Sequence, residues 1–440
     1  MSESKIPSSI LIIGSGVFGL STAYELCLNP AFKDTSITLV ERRPFPAPDG
    51  SSIDSSRIVR ADYADPAYAS LVSSAMPLWR STWGEDGRYN ENGLCMTCSP
   101  SAASYVQRSA ATMQSLGAPI TLLNSPAEIK AACGVDGCTG SSGYLNRAAG
   151  WVDAEACMRW LYSKIKSLNR VTFITATVSR LLIDHSTATV FGALLTTTNT
   201  PLLASLTILA AGAWTPSLLD LRGICTATGQ VMAYIPLTPA EQAALRAIPT
   251  ILNLSTGLFS ITPSRNLLKI ARHGYGYANP VAIPHPEYIP ASTFPSQTSI
   301  TVSQPLTAVS DPTLSVPAEG LAACRAFLRE VYPSLAERPF SATRICWYTD
   351  TPTGDFLVSY HPKYKGLFVA TGGSGHAFKM LPVIGGKVVE CILGRTPAEF
   401  RDKWAWPSER VGEDGFAGDG SRGGAKGMLL REEMGRGSRL

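Results

Sequence analysis

Three glycines near the start of the 440-residue chain, Gly14, Gly16 and Gly19, have the type and spacing to hold a pyrophosphate. Gly14 permits a tight turn. Gly16 leaves room for backbone to approach a phosphate that a Cβ would strike, and Gly19 lets a following helix pack close to the preceding strand. Val17 and Phe18 stand within the glycine motif, and the segment Leu20 to Leu28 follows as the helix whose free N–H groups would face the anion. Glu41, with Arg42 beside it, closes the next apolar run and is placed to bind a ribose hydroxyl. Residues 29–36 read as a loop insertion that delays it. This stretch leaves open whether the dinucleotide carries a flavin or a nicotinamide.

A second group of residues could handle a substrate. Ser56-Arg57-Ile58-Val59-Arg60 carries two arginines three apart, which share a face if the segment is helical. They are either a solvated basic face or a pair serving a cofactor and a substrate carboxylate, which a guanidinium grips with two parallel N–H bonds. Lys269 follows two leucines in a strand-like run, with His273 four residues on. The pattern favours a lysine on the outer face of a sheet over one aimed into an apolar cavity. Gly212, ahead of Trp214, ends a strand and suits either backbone packed on a cofactor or a plain strand terminus. The run Gly372 to Lys379, with Gly373, Gly375 and His376 inside it, repeats the strand, glycine loop, helix order of the N-terminus. It would bring N–H groups to an anionic or electron-rich ligand. Cys95 and Cys98 form an isolated CxxC without a second pair at zinc spacing, which favours a core or loop pair over metal or redox chemistry. No metal site is expected.

These residues need elements to position them. The β-branched run Ser9 to Ile13 suits a strand buried on both faces, followed by a helix and the strand Ile37 to Glu41, a βαβ unit. Helices are expected at 67–83, 101–116, 127–133, 154–168 and 383–393, and a strand at 92–99. Residues 171–174, 188–197 and 206–209 read as a three-stranded meander. The Pro-rich stretch 229–339 reads as an antiparallel sheet forming a second domain.

With 45% hydrophobic and 16% charged residues, the composition fits a globular enzyme of about two domains. The net charge of +4 gives no case for nucleic-acid or membrane-surface binding. No apolar run approaches a membrane span, and the polar start leads directly into the nucleotide strand without a signal peptide. Ten cysteines in that setting imply free thiols in a reducing compartment. The Gly-rich segment from residue 407 to 440 is expected to be flexible. Its last residues, Ser438-Arg439-Leu440, resemble the tripeptide read by the peroxisomal import receptor.

With these motifs in order, the chain from about Ser9 to Trp406 resembles the monomeric sarcosine oxidase family of FAD-dependent amine oxidases, which includes fungal saccharopine, pipecolate and fructosyl amino acid oxidases. The specific part is the set SRIVR, AGAW, the mid-domain lysine, RICWYTDTP and GGSGHAFK. The resemblance implies an α/β fold with a Rossmann-like FAD-binding domain (1–85, 150–226 and 340–406) and an antiparallel-sheet substrate domain (86–149 and 227–339). It implies FAD bonded covalently through the sulfur of Cys346, with Tyr348 as the aromatic two residues on. It implies that Lys269 promotes electron transfer to oxygen, that Arg60 and Lys379 hold the substrate carboxylate, and that Arg57 lies nearer the flavin. His273 matches the histidine of sarcosine oxidases, where the fructosyl enzymes carry an acid. Ser52 and Ile53 replace the histidines that precede the arginine pair in sarcosine oxidase. The wall at Leu258 and Phe259 lacks its tyrosine. Both departures point to an amine larger or more apolar than sarcosine.

The expected function is therefore oxidation of a secondary, N-substituted amino acid to an imine, with oxygen reduced to hydrogen peroxide, by a monomer in the peroxisome or the cytoplasm. Two alternatives stay open. One is a tailoring oxidase of an N-methyl amino acid-derived metabolite. The other is a dehydrogenase passing electrons to an acceptor other than oxygen.

Overall fold

A computed structural model describes residues 6–287, 298–412 and 416–437. One body is organised by a six-stranded sheet, drawn from both ends of the chain, in the order Leu357–Tyr360, Leu367–Thr371, Leu206–Leu209, Ser9–Ile13, Ser36–Glu41, Val171–Thr175. All neighbours are parallel except the edge strand Leu357–Tyr360. The central strands are continuous apolar runs because helices cover one face and other structure the second. Helix Val17–Leu28 packs against Leu381–Ile392 and Ala154–Ser167 on one side. A three-stranded antiparallel meander, Val178–Asp184, Thr189–Leu195 and Pro201–Leu203, shares an apolar cluster with the other side.

This meander differs from the expected one. Only its middle strand was anticipated; Val171–Thr175 and Leu206–Leu209 instead join the parallel sheet. Leu206–Leu209 is buried at every position, which suits a strand covered on both faces rather than an alternating hairpin strand.

The second body is a ten-stranded sheet, mainly antiparallel. Its long central strand, Thr226–Pro236, pairs with Leu267–Arg272 on one side and with Ala342–Asp350 along its length on the other. Ala342–Asp350, which carries Cys346 and Tyr348, is hydrogen-bonded into the large sheet, so the two residues reach the cleft from that side. Within Leu267–Arg272 the two-residue period decides the fate of the lysine. Leu268 and Ile270 enter one core cluster, while Ala271 joins another on the opposite face. Lys269 shares the face of Ala271, and the plainer expectation of a solvent-facing lysine is overturned: it is 3% exposed and lines the cleft.

The arginine pair lies on and just past a strand rather than on a helix. Arg57–Val59 pairs with Gly150–Val152 in a small antiparallel sheet, as the β-branched Ile58 and Val59 favour. Arg57 and Arg60 therefore reach different partners. Cys95 and Cys98 occupy one strand, Leu94–Cys98, and their spacing of three sends them to opposite core clusters.

Over 416–437 the Gly-rich tail packs on the rest of the chain. Met428–Leu429 pairs with Tyr277–Ala278, and helix Leu430–Gly437 docks on Ala318–Val331 through the fully buried Leu430. Glycine serves this docking by removing side-chain bulk: a Cβ on Gly423 would lie 2.3 Å from the nitrogen of Gly257. Ser438-Arg439-Leu440 lies outside the described residues. Among the described residues no helix is long and apolar enough to cross a membrane.

Candidate active site

One cleft is lined by residues of both sheets and takes in Ile13 and Glu41 of the nucleotide-binding segment together with Arg60 and Lys379. Of the residues singled out in the sequence, it is lined by Gly14, Gly16, Val17, Phe18, Glu41, Arg42, Arg57, Arg60, Gly212, Trp214, Lys269, His273, Cys346, Tyr348, Gly373, Gly375, His376 and Lys379. Gly19 and Ser56 stand behind it. A Cβ on Gly19 would meet the carbonyl of Gly14 at 1.9 Å, so the residue serves the strand–helix contact. Ser56 offers its carbonyl to Lys269 Nζ at 2.8 Å.

The nucleotide end fits an adenine dinucleotide. The helix beginning at Val17 has no acidic residue in its first turn, so the positive end of its dipole is left for an anion. Val17 N donates to Ser52 Oγ at 3.0 Å, at the point where a phosphate oxygen would compete. Glu41 is fixed by three donors, the amide and hydroxyl of Ser15 at 2.9 and 2.7 Å and the amide of Arg42 at 2.8 Å. Arg42 pairs with Asp49 and lays its guanidinium 3.8 Å over the ring of Trp214, which makes one wall. Among the described residues no group of three or more His, Cys, Asp and Glu side chains could hold a metal ion.

Two lining residues, Arg57 and Lys269, converge on Asp54, which the sequence reading did not single out. Its buried carboxylate takes hydrogen bonds from Lys269 Nζ, Arg57 Nη1 and Tyr234 OH, the last at 2.7 Å. Burial alone would raise its pKa, but Lys269, Arg57 and Arg344 around it hold the carboxyl well below the usual range. Lys269 has one anion against the desolvation it suffers and a nearby Arg57, so burial brings its ammonium down to about 8. Arg57 also donates to Ser51 O at 2.9 Å and to Cys346 Sγ at 3.4 Å.

The cleft holds a second polar group. Arg60, 4% exposed, donates to Asp62 O and stands 5.3 Å from the Tyr63 ring. Lys379 Nζ donates to Tyr63 OH at 3.0 Å. Tyr63 OH and His376 Nδ1 are 2.8 Å apart, and His376 Nε2 meets Gly354 O at 2.9 Å. The carbonyl can only accept, so Nε2 carries the proton, Nδ1 accepts from Tyr63, and the tyrosine oxygen accepts from Lys379. Burial, then the charge of Lys379, depresses His376 to about 3, so its ring is neutral. Burial and the charge of Arg60 push Lys379 well below an ordinary lysine. His273 is likewise kept neutral by burial and the cations around it. Met232, Leu252, Phe259 and Ile261 supply apolar wall to the cleft. Leu258 turns into the core instead.

Asp54, Tyr63 and the tail residues Asp419 and Arg422 were missed in the sequence. Asp54 lies three residues before Arg57, so the arginine pair was its only local signal. Nothing in the local pattern marked the others.

The sequence from residue 9 to 391 matches the family described as FAD dependent oxidoreductase. Among characterised proteins, the amino acid oxidase imqH of Aspergillus flavus is 34% identical, covering 92% of this chain and 96% of that protein. The L-saccharopine oxidase of Schizosaccharomyces pombe is 30% identical, covering 90% and 93%. Among solved structures, a modified fructosyl peptide oxidase from Aspergillus nidulans superposes with a TM-score of 0.83 at 26% identity, covering 97% of this chain and 98% of that one.

Proposed function

The chain belongs to the FAD-dependent oxidoreductases, and from that premise we propose that it is an oxidase of a secondary amino acid, converting the C–N bond to an imine and oxygen to hydrogen peroxide. The observation that carries this reading is the set of groups brought to one cleft: a dinucleotide-binding segment, a buried lysine paired with a carboxylate, two buried cations and an apolar wall.

Arg60 and Lys379 hold the substrate carboxylate. Both are buried and both stand against the Tyr63 ring, at 5.3 and 4.9 Å, so an entering anion is favoured there. The Tyr63–His376 string aims Lys379, since every hydrogen bond along it has a fixed direction. With the carboxylate fixed, the substituent on nitrogen and the side chain are left to Met232, Leu252, Phe259 and Ile261, which suits an amine larger or more apolar than sarcosine. Neutral His273 is available to accept a hydrogen bond from the amine, and its place as an uncharged ring disfavours a sugar amine. FAD, when bound, supplies the two-electron oxidation of the C–N bond and delivers the electrons to oxygen. Lys269 places positive charge where charge develops on oxygen. Cys346, with the Arg57 guanidinium against its sulfur, is the residue for a covalent link to the flavin.

A second reading within the same chemistry is a tailoring oxidase of an N-methyl amino acid-derived metabolite, and the similarity to the amino acid oxidase imqH over nearly the full length of both chains fits an amino acid substrate in either case. The tripeptide Ser438-Arg439-Leu440 supports a peroxisomal address, which a peroxide-forming reaction suits. A division into nucleotide and substrate domains, and action as a monomer, complete the proposal.

The test is peroxide release by purified protein on a panel of sarcosine, L-pipecolate, L-proline, saccharopine, N-methyl aromatic amino acids, fructosyl amino acids and primary amino acids. A signal on one secondary amino acid is expected. Turnover confined to primary amino acids contradicts the reading.

A further inference from the structure

Arg422 lies outside every motif used above, in the segment expected to be a free tail. Its side chain and that of Asp350 are each 6% exposed. The two pair in a fork, Nη1 to Oδ2 at 2.7 Å and Nη2 to Oδ1 at 2.5 Å. Nη1 also donates to Gly274 O at 3.2 Å, and Nη2 to Ser374 O at 3.0 Å. These acceptors sit on three different segments that carry the site. Asp350 is two residues past Tyr348, Gly274 directly follows His273, and Ser374 is inside the loop that leads to His376 and Lys379.

Ser374 needs holding. Its φ is +45°, between Gly372 at +71° and Gly375 at +72°, a left-handed turn that a serine adopts only under constraint from its surroundings. Its amide is tied to Thr349 O at 2.9 Å, its hydroxyl to Gly372 O at 3.0 Å, and its carbonyl to Arg422. The tail is itself fastened on both sides of Arg422. Gly418 N donates to Pro352 O at 2.9 Å, Tyr105 OH donates to Asp419 at 3.3 Å, and Gly423 bridges to Gly274.

We infer that the C-terminal segment is a working part of the active site, with Arg422 as a positioning residue that clamps the left-handed Ser374 turn and so sets His376 and Lys379 for the substrate carboxylate. The inference rests on the reading of Lys379 given above. The guanidinium joins segments that are separate in the chain and meet only at the cleft, so its loss loosens the loop before it loosens either sheet.

Two readings on flavin-loaded full-length protein test this: benzoate affinity, followed by flavin absorbance, and amide hydrogen exchange over residues 372–379. Wild type, Arg422→Met, Arg422→Lys and Asp350→Asn are compared. In Arg422→Met, benzoate affinity is expected to fall about tenfold or more. Exchange over 372–379 should accelerate by about tenfold or more, with Ser9–Ile13 and Leu206–Leu209 as protected as before. Arg422→Lys, which keeps the charge but not the fork, should recover part of both. Unchanged loop exchange in folded Arg422→Met overturns the inference. So does an equal rise in exchange throughout the chain, which makes the pair a general stabiliser. If wild type gives no benzoate response while the loop still loosens in the variant, the clamp stands and the carboxylate role of Lys379 is what fails. If Arg422→Met does not fold, the isosteric Asp350→Asn decides by the same readings.

Discussion

Lys269 Nζ and the Asp54 carboxylate, 215 residues apart in the chain, form an ion pair whose side chains are 3% and 1% exposed. A pair this deep is costly to create and worse to break. Removing one partner leaves the other buried and uncompensated, typically a loss of about 3–5 kcal/mol. Asp54 accepts from Arg57, Tyr234 and Lys269 at once, so it fixes these three side chains relative to one another.

Lys269→Met should slow the reaction of reduced enzyme with oxygen by roughly 10²–10³-fold, the usual effect of removing one preorganised charge from a developing anion. Anaerobic reduction by substrate should change far less. Stopped-flow measurement of the two half-reactions separates them. Equal losses in both would show that the lysine serves substrate binding or folding.

The same lysine should impose a pH dependence. Held near 8, it is charged below that pH and neutral above it. The oxygen step should therefore be fast below pH 8 and decline as the pH rises through it, and Lys269→Met should remove the decline. In Asp54→Asn the anion that supports the charge is gone, so the decline should move to lower pH. Asp54 also links to stability. Its carboxyl is held well below the usual range, so the stabilisation is present above the ordinary carboxylate pKa of about 4 and lost as the pH falls below it. Asp54→Asn should flatten that acid limb in thermal melts.

Cys346→Ser should give a protein whose flavin appears in the supernatant after acid precipitation, whereas wild-type flavin stays with the pellet. The serine keeps the shape beside Arg57 and removes only the sulfur. Flavin released by acid from wild type as well would rule out the bond.

Arg60→Met and Lys379→Met should each raise KM for the amino acid by about 10–10²-fold, the loss of a charge-assisted hydrogen bond worth about 1.5–3 kcal/mol. Tyr63→Phe should do so more weakly, because Lys379 loses its guide and keeps its charge. The Tyr63→Phe effect should be flat between pH 5 and 8, since His376 is neutral across that range. A pH-dependent effect there would mean that the ring titrates or that Lys379, itself held well below an ordinary lysine, loses its proton in that range.

The sequence made the nucleotide end legible because phosphate binding forces glycine and strand–helix order into a short contiguous stretch, Ser9 to Glu41. The buried runs that form the parallel sheet were legible singly. Their neighbours were not, since Val171–Thr175 and Leu206–Leu209 pair with strands far away in the chain. The side to which Lys269 points depends on which face of its strand meets the cleft, a tertiary fact hidden in an alternation that fits either face. Asp54 and Tyr63 act through partners hundreds of residues distant, and neither residue type marks such a role locally. The tail was hardest to read. Glycine that signals flexibility in an isolated segment here permits close passage, as at Gly423 against Gly257.

The most direct measurement is anaerobic bleaching of the flavin by three compounds that share one apolar side chain: an N-methyl amino acid, its methyl ester and the primary amino acid. The N-methyl acid should bleach the flavin, and the ester and the primary amine should do so far more slowly, because Arg60 and Lys379 grip the carboxylate and the cleft is shaped for the substituted nitrogen. Bleaching by the ester at the rate of the acid would contradict the central claim.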